Sequence, residues 1–367
     1  MNRPKLGFAI LGAGMIAEYY AQAIAANGEN GARLIAIGHY DPQRFSEIER
    51  RFGVPCMLEQ ELLSHPDIDG MCICTPSGQH AGQTIRAAWA GKHVLVEKPM
   101  ATSLADADAM IAACQDHRVA LGVAFQSRTK PLFQEIYRAI QSGELGELTL
   151  GLVNLPYYRP QSYYAQAAWR GTWALDGGGV LMNQGIHQVD LLAWYMGTPV
   201  EVRANASTLH RQIEVEDTLC ASLRFANGAL AAINATTTAA PGFPPRIEIY
   251  GNRGGLQVEG DTPVRWWLGG QEPVSDRQGS QPASVRPPSA GAGADPRGIS
   301  IAGHIALVSD FIQAVRDHRP PLVDGTEGRR SLAIVLAIYQ AAGLLTPTAG
   351  FATVIQDGDT TPTRQSE

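Results

Sequence analysis

Gly12-Ala13-Gly14-Met15-Ile16-Ala17 follows the apolar run Leu6 to Leu11 and opens a stretch with helical spacing, Ile16 to Ala26. Strand, glycine turn and helix in that order form a dinucleotide-binding fingerprint. Gly12 lets the chain turn tightly out of the strand. Gly14, without a Cβ, lets a pyrophosphate reach backbone N–H groups at a helix N-terminus. Ala17 stands at the third position, where a small side chain lets the helix pack on the sheet. Glycines at strand ends are also plain turns, and the strand before and helix after are what favour the fingerprint.

The pattern around this turn continues through the first third of the chain. Strands are expected at Leu6–Leu11, Arg33–His39, Gly70–Cys74, His93–Val96 and Ala120–Ala124, with a short one near Pro55. Helices are expected at Ile16–Ala26, Pro42–Phe52, Glu59–Ser64, Gln79–Ala90 and Leu104–His117. Apolar strands alternating with amphipathic helices predict an α/β fold with a doubly wound parallel sheet of the Rossmann kind. Its ligand crevice lies off the C-terminal ends of the strands. Thr75-Pro76 and Glu97-Lys98-Pro99 both follow strand ends and so fall on that side. A lysine there can hydrogen-bond a substrate hydroxyl and stabilise developing negative charge. To exchange protons near neutral pH, its pKa must fall through burial or nearby charge. Glu97 is expected to orient it. Alone, Lys98 reads equally as a surface lysine before a loop.

Beyond a helix at Pro131–Ser142 the pattern changes. Alternating strands are expected at Leu148–Val153, Val200–Thr208, Asp217–Phe225, Ala229–Thr237, Arg246–Tyr250 and Gly255–Val258, with Asn227-Gly228 as a hairpin turn. They predict a second, α+β domain with a large, mainly antiparallel open sheet. Residues 269–298, rich in Gly, Pro and Ser, read as a long loop excursion. Helices resume at Ala302–Asp317 and Gly328–Leu344. The expected division is a dinucleotide-binding domain over 1–127, a substrate and oligomerisation domain over 128–350, and a tail over 351–367.

Bulk properties agree. The chain's 367 residues are too many for one core. A formal net charge of −6 argues against a nucleic-acid partner. No apolar run reaches the roughly 18 residues of a membrane span, and the short, glycine-interrupted run at the N-terminus does not read as a signal peptide. Five cysteines without metal spacing fit a reducing cytoplasm and predict no metal site. Cys72 and Cys74 alternate along an apolar strand and are expected to be buried on one side.

A second constellation runs from Trp169-Arg170-Gly171 through Asp176-Gly177-Gly178-Gly179 to Asn183, His187 and Asp190. Three glycines in a row imply close backbone approach or unusual dihedrals. Helical spacing over Val180–Met196 puts Asn183, His187 and Asp190 on one face. Such a polar stripe is costly to bury unless it is hydrogen-bonded or faces a cleft. A lone histidine there would more often be structural; with the stripe and the glycines, His187 reads as a site residue.

These motifs together resemble the Gfo/Idh/MocA family, the glucose–fructose oxidoreductase and inositol dehydrogenase family. The resemblance runs from about Lys5 to about Gly343. It rests on GAGMIA, on TPSGQH at Thr75–His80, on EKP at 97–99, on AFQSR at Ala124–Arg128, on the DGGG and NQGIHQVD segment, and on HIALVSDFIQAV. It implies NAD or NADP as cofactor, hydride transfer at a sugar or polyol carbon, and Lys98 and His187 as the catalytic pair. It implies cofactor contacts at Gly12, Gly14, Met15, Ile16, Thr75, Pro76, His80, Glu97, Lys98 and Gln126. Trp169 and Arg170 match a pair that often lies near the nicotinamide. Asn183 stands where inositol dehydrogenases carry an aspartate. Asparagine cannot take a proton, so His187 is the better base. Trp169–His187 is similar to the branch that oxidises sugar nucleotides, including N-acetylated hexuronates.

One departure concerns cofactor choice. NAD-binding members usually carry an acid where His39 stands, to hold the ribose 2′-hydroxyl and repel a 2′-phosphate. Asp41 comes two residues late and is expected to cap the next helix. Arg44 reads either as a phosphate contact or as a solvated helix position, so NAD and NADP both remain open.

The substrate is expected to be a small polyhydroxylated molecule, a sugar, polyol or sugar nucleotide. Lys98, Trp169, Arg170, Asn183 and His187 would line its cleft, with Tyr157, Tyr158, Arg159, Tyr163 and Tyr164 nearby. Arg159 and the tyrosines read alternatively as a solvated loop. No nucleic-acid or membrane partner is expected, and the second sheet would make a homodimer or homotetramer. The alternatives are an NAD-using glycosidase of the same family and a non-catalytic, dinucleotide-sensing regulator.

Overall fold

The computed structural model describes residues 5–268 and 300–345. The expected excursion at 269–298 and the tail at 351–367 lie outside the described residues.

The first sheet is built from β1 (Leu6–Leu11), β2 (Ala32–Gly38), β3 (Cys56–Met57), β4 (Gly70–Ile73), β5 (His93–Val96) and β6 (Leu121–Val123). Between them run α1 (Met15–Ala26), α2 (Phe45–Phe52), α3 (Glu59–Ser64), α4 (His80–Trp89) and α5 (Leu104–Asp116). The strand order is β3-β2-β1-β4-β5-β6, all parallel. Phe8, Ala9 and Ile10 are all buried, because helices cover both faces. That is why the strand reads as an unbroken apolar run. Cys72 and Cys74 share one buried cluster with α1, as their alternation suggested. The expected helix at Pro42–Phe52 divides into a 3₁₀ turn and α2, and the Asp41 carboxylate accepts from the Gln43 N–H as its cap.

Strand order reverses between β1 and β4, and a crevice opens at such a switch point. Gly12 sits there at φ +106°, and a Cβ on it would lie 2.7 Å from the Cys74 carbonyl oxygen. Only glycine lets the turns after β1 and β4 approach so closely.

After α6 (Pro131–Gln141) come β7 (Leu148–Pro156), α7 (Gln161–Tyr164), α8 (Ile186–Met196), β8 (Pro199–Ser207), β9 (Thr218–Phe225), β10 (Leu230–Thr236), β11 (Arg246–Gly251), β12 (Gly255–Glu259) and β13 (Thr262–Trp267). The order is β13-β12-β11-β7-β10-β9-β8, antiparallel except for the β7–β10 pair. β9 alternates buried and exposed residues, as a sheet covered on one face should. β13 was not expected: Pro263 interrupts its run, and proline is tolerated because this is an edge strand.

Two last helices join the layers. α9 (Ala302–Asp317) returns to the first sheet, where Phe311 meets Phe8 with ring centroids 6.3 Å apart. α10 (Gly325–Ala341) packs against α5 and α8. No helix among the described residues is long and apolar enough to cross a membrane.

The regular helix expected over Val180–Met196 is corrected. Residues Val180–Gly185 form a wide π turn, and α8 begins only at Ile186. Asp190 does not share the cleft with Asn183 and His187. Its carboxylate accepts from Arg128 Nε at 2.8 Å, Arg128 Nη2 at 2.7 Å and the Ser331 hydroxyl at 2.7 Å. Arg128 also donates to Glu327. Both Arg128 and Asp190 are buried, so the pair ties the segment after β6 to α8 and α10. Removing one partner of a buried ion pair strands the other. Arg128→Met is therefore expected to cost about 3–5 kcal/mol in urea unfolding; a loss below about 1 kcal/mol would show that the Ser331 hydroxyl suffices for Asp190.

Candidate active site

A cleft of about 1600 Å³ lies at the switch point, walled by the first sheet's strand ends on one side and by the second domain's segments on the other. One small molecule commonly occupies roughly 300–1,000 Å³, so this cleft has room for a dinucleotide and a second ligand. Its first wall carries Gly12, Gly14, Met15, Ile16, His39, Thr75, Pro76, His80, Glu97, Lys98 and Gln126. Its second carries Arg159, Tyr163, Trp169, Arg170, Asn183 and His187.

The first wall fits a dinucleotide. Gly14 is the N-cap of α1 and supplies no side-chain cap, which leaves first-turn N–H groups for an anion. A Cβ at Gly14 would meet nothing within 4 Å, so a ligand can approach the backbone. At the far end, the His39 ring stacks on exposed Tyr40 at 4.6 Å, and His39 Nδ1 accepts from the Asp41 N–H. Arg44 lines the same end while pairing with Glu47. No carboxylate occupies the place of His39. His80 lines this wall, and its two ring nitrogens face the carbonyls of Pro99 (2.9 Å) and Thr75 (2.8 Å). His80 thus ties together two loops that line the cleft.

Lys98 and His187 meet where the walls converge. Lys98 Nζ donates to the Asn183 carbonyl at 2.8 Å. Burial pushes the Lys98 pKa down, Glu97 and Asp176 oppose the shift, and Arg170 and Arg159 add to it. The expectation that Glu97 orients the amine is corrected. The Glu97 carboxylate accepts instead from the Tyr20 hydroxyl at 3.0 Å and from the Lys98 backbone N–H at 3.1 Å. Burial raises the Glu97 pKa, against the pull of Lys98.

The His187 ring stands edge-on to Phe125, centroids 5.8 Å apart, and its Nδ1 has no hydrogen-bond partner among the described residues. Burial holds its pKa well below the usual histidine value, and Lys98, Lys130 and His304 push the same way. His187 is therefore neutral at neutral pH and able to accept a proton. Asn183 donates to Asp176 Oδ1 at 2.5 Å and accepts from Gln184 at 3.1 Å, which leaves one amide hydrogen and one lone pair for a ligand. Asp176 also accepts from the Gly171 N–H at 2.8 Å.

A cationic and aromatic patch lies beside this pair. The guanidinium carbons of Arg170 and Arg159 lie 4.2 and 5.7 Å from the Tyr163 ring centroid. Arg159 and Tyr163 are buried, not part of a solvated loop. Tyr157 also lines the cleft. Tyr158 and Tyr164 do not: Tyr158 lies under Arg211, and the Tyr164 hydroxyl donates to Thr237.

Some lining residues escaped the sequence reading. Lys130 pairs with Asp261 on the β12–β13 turn, at 2.7 Å, across the cleft mouth. His304 is fully buried beside the Tyr19 and Tyr20 rings, and burial with Lys130 and Lys98 pushes its pKa down to about 4. No group of three or more His, Cys, Asp or Glu among the described residues could hold a metal ion.

Residues 6–125 match the model of the oxidoreductase family with an NAD-binding Rossmann fold, and residues 133–257 match the GFO/IDH/MocA C-terminal domain. Among solved structures, the chain is similar to the WlbA dehydrogenase from Bordetella pertussis in complex with NADH and UDP-GlcNAcA. The two are 34% identical, with a TM-score of 0.80, over 92% of this chain and 97% of that one. The WlbA dehydrogenase from Chromobacterium violaceum, in complex with the same two molecules, is 33% identical, with a TM-score of 0.81, over 94% and 95% of the two chains. The inositol 2-dehydrogenase of Rhizobium meliloti is 29% identical over 264 residues, 70% of this chain and 76% of that protein.

With His39 in place of an acid, strict exclusion of NADP is not expected. Fluorescence titration should show measurable binding of both cofactors, and His39→Asp should shift preference toward NAD through a new ribose hydrogen bond and repulsion of the 2′-phosphate. If the parent already discriminates against NADP by more than about a thousandfold, or about 4 kcal/mol, another group makes the selection.

Proposed function

The chain belongs to the Gfo/Idh/MocA family of NAD(P)-dependent oxidoreductases acting on CH–OH groups, and from that premise we propose that it oxidises a ring hydroxyl of an anionic sugar, with a nucleotide-linked hexuronate as the substrate class. The observation that carries this reading is the Arg159–Tyr163–Arg170 cluster in the same cleft as Lys98 and His187. A guanidinium grips a carboxylate or diphosphate bidentately, and a phenol ring suits the apolar face of a sugar. The UDP-GlcNAcA bound by two similar dehydrogenases supports the same class.

When bound, oxidised NAD(P) supplies a hydride acceptor at nicotinamide C4. The protein's part is to hold the alcohol and move its proton. Lys98 gives one N–H to the Asn183 carbonyl; its others hydrogen-bond the substrate oxygen and stabilise alkoxide charge as it develops. Neutral His187 takes the hydroxyl proton. The O–H bond breaks toward His187, the C–H bond breaks with its electron pair toward the cofactor, and the carbon becomes a carbonyl. Reduction runs the same steps backwards. Because the His187 pKa is held down, loss of activity through its protonation falls well below pH 6.5.

A test compares UDP-linked hexuronates with neutral sugars and inositols. The uronates should turn over with the higher kcat/KM. Lys98→Met should lower kcat by about a hundredfold, the usual scale for a proton-transfer group, with dinucleotide affinity nearly unchanged. Arg170→Ala should raise KM for the uronate about tenfold, the scale of one charge-assisted hydrogen bond, and leave neutral sugars little affected. Near-native turnover by Lys98→Met would sink the catalytic assignment. Equal use of neutral sugars, unaffected by Arg170→Ala, would remove the anionic substrate and leave a neutral-sugar dehydrogenase.

A further inference from the structure

Residues 179–185 bring Lys98 and His187 together, yet their wide π turn is not held by regular helical packing alone. Two buried side chains from distant parts of the chain converge on it. Glu216, two residues before β9, accepts from the Gly179 N–H on Oε2 at 2.9 Å and from the Leu181 N–H on Oε1 at 3.0 Å. Tyr339, on α10, donates its hydroxyl proton to Glu216 Oε1 at 2.7 Å. Its oxygen accepts from the N–H groups of Gly179 and Met182, both at 3.1 Å. A Cβ on Gly179 would lie 1.8 Å from the Glu216 carbonyl oxygen, so the two segments are in backbone contact here. Neither Glu216 nor Tyr339 lines the cleft.

We propose that Glu216 and Tyr339 form a positioning clamp that fixes the π turn, seats the Asn183 carbonyl on Lys98 Nζ and aims His187 into the cleft. The proposal rests on Lys98 and His187 being the reacting pair. Both clamp residues act through the backbone they hold and touch no reacting atom.

The chemistry of the clamp requires a carboxylate. Three donors meet two oxygens, and an ionised carboxylate accepts from all of them. A protonated carboxyl, or glutamine, places a donor against one of these donors and loses a bond. With the donor on Oε2 the Gly179 N–H loses its acceptor there; with it on Oε1 the Tyr339 proton has to turn away, disturbing the phenol's bonds to Gly179 and Met182. Ionisation of Glu216 and the shape of the turn are thus linked. Burial raises the Glu216 carboxyl to about 7, against the lowering effect of its hydrogen bonds. Tyr339 is the titratable side chain that hydrogen-bonds it, and the Tyr339 ring stands edge-on to Trp173. Asp217, next in the chain, faces the N–H groups of Leu209, His210 and Arg211 instead. As pH falls through about 7, Glu216 takes up a proton and the clamp loosens, while His187 is still neutral. An acid limb near pH 7 then belongs to Glu216.

The test uses the full chain and the variants Glu216→Gln and Tyr339→Phe. Hydrogen exchange of the ligand-free protein follows the amides of 179–183, and NADH titration reports the cofactor wall. The pH profile of kcat reports the clamp's ionisation. In both variants, exchange over 179–183 should rise and kcat should fall, each by about tenfold, the scale of one lost buried hydrogen bond. NADH affinity should hold within about threefold. The acid limb near pH 7 should vanish in Glu216→Gln. In Tyr339→Phe it should move to higher pH, because the phenol's hydrogen bond lowers the carboxyl pKa. An unchanged limb in Glu216→Gln, or unchanged exchange, overturns the clamp, as does native kcat with raised exchange. If Glu216→Gln loses NADH binding and so does not fold, Tyr339→Phe decides alone. If Lys98→Met stays active while exchange rises in the clamp variants, the catalytic reading fails and the structural clamp stands.

Discussion

The 2.8 Å hydrogen bond from Lys98 Nζ to the Asn183 carbonyl joins the two halves of the molecule inside the cleft. Much of the surrounding structure holds one of its ends. On the first side, β5 delivers Lys98, Glu97 grips its backbone N–H, and His80 ties the adjoining Pro99 to Thr75. On the second, Asp176 holds the Asn183 amide, and the Arg128–Asp190 pair anchors α8 one turn beyond His187. The bond is strong where it stands, because burial keeps water from competing for the ammonium.

Electrostatics follows from the same burial. Lys98, Arg170 and Arg159 are crowded into one end of the cleft, and the two guanidiniums make a proton on the Lys98 amine less favourable. The cost is offset by Glu97 and Asp176, neither of which reaches Nζ directly. An amine so placed is readier to give up a proton than a surface lysine, and an imidazole beside it is readier to stay neutral. The arrangement suits alcohol oxidation, in which negative charge gathers on one oxygen. It also suits a substrate that brings its own negative charge.

Much of the fold was legible because it is written locally. The strands at Leu6–Leu11 and His93–Val96 and the helix at Glu59–Ser64 fall where their apolar runs and flanking residues put them. That Gly12, Gly14 and Glu97-Lys98 fall on the cleft side was legible for the same reason: each follows a strand that its neighbours identify. The π turn was not, since residues 180–196 carry a spacing that fits an ordinary helix equally well. Nor was the fate of Asp190, whose partners Arg128 and Ser331 come from other elements. α10 begins at Gly325, ahead of the expected Gly328, although Asp324 and Glu327 spell a helix cap. His304 and Tyr339 lie in segments that read as ordinary helix, and Lys130 and Glu216 just ahead of an expected helix and strand. Only packing brings them to the cleft or to the turn behind it.

Isotope tracing addresses the chemistry without mutation. The protein would be incubated with oxidised cofactor and UDP-GlcNAcA carrying deuterium at each ring carbon in turn, and the reduced cofactor weighed. If the cleft performs direct hydride transfer on an anionic sugar, one labelled position passes its deuterium to the nicotinamide. Label appearing in water with unlabelled reduced cofactor, or no reduction from any position while neutral sugars react, would overturn that account.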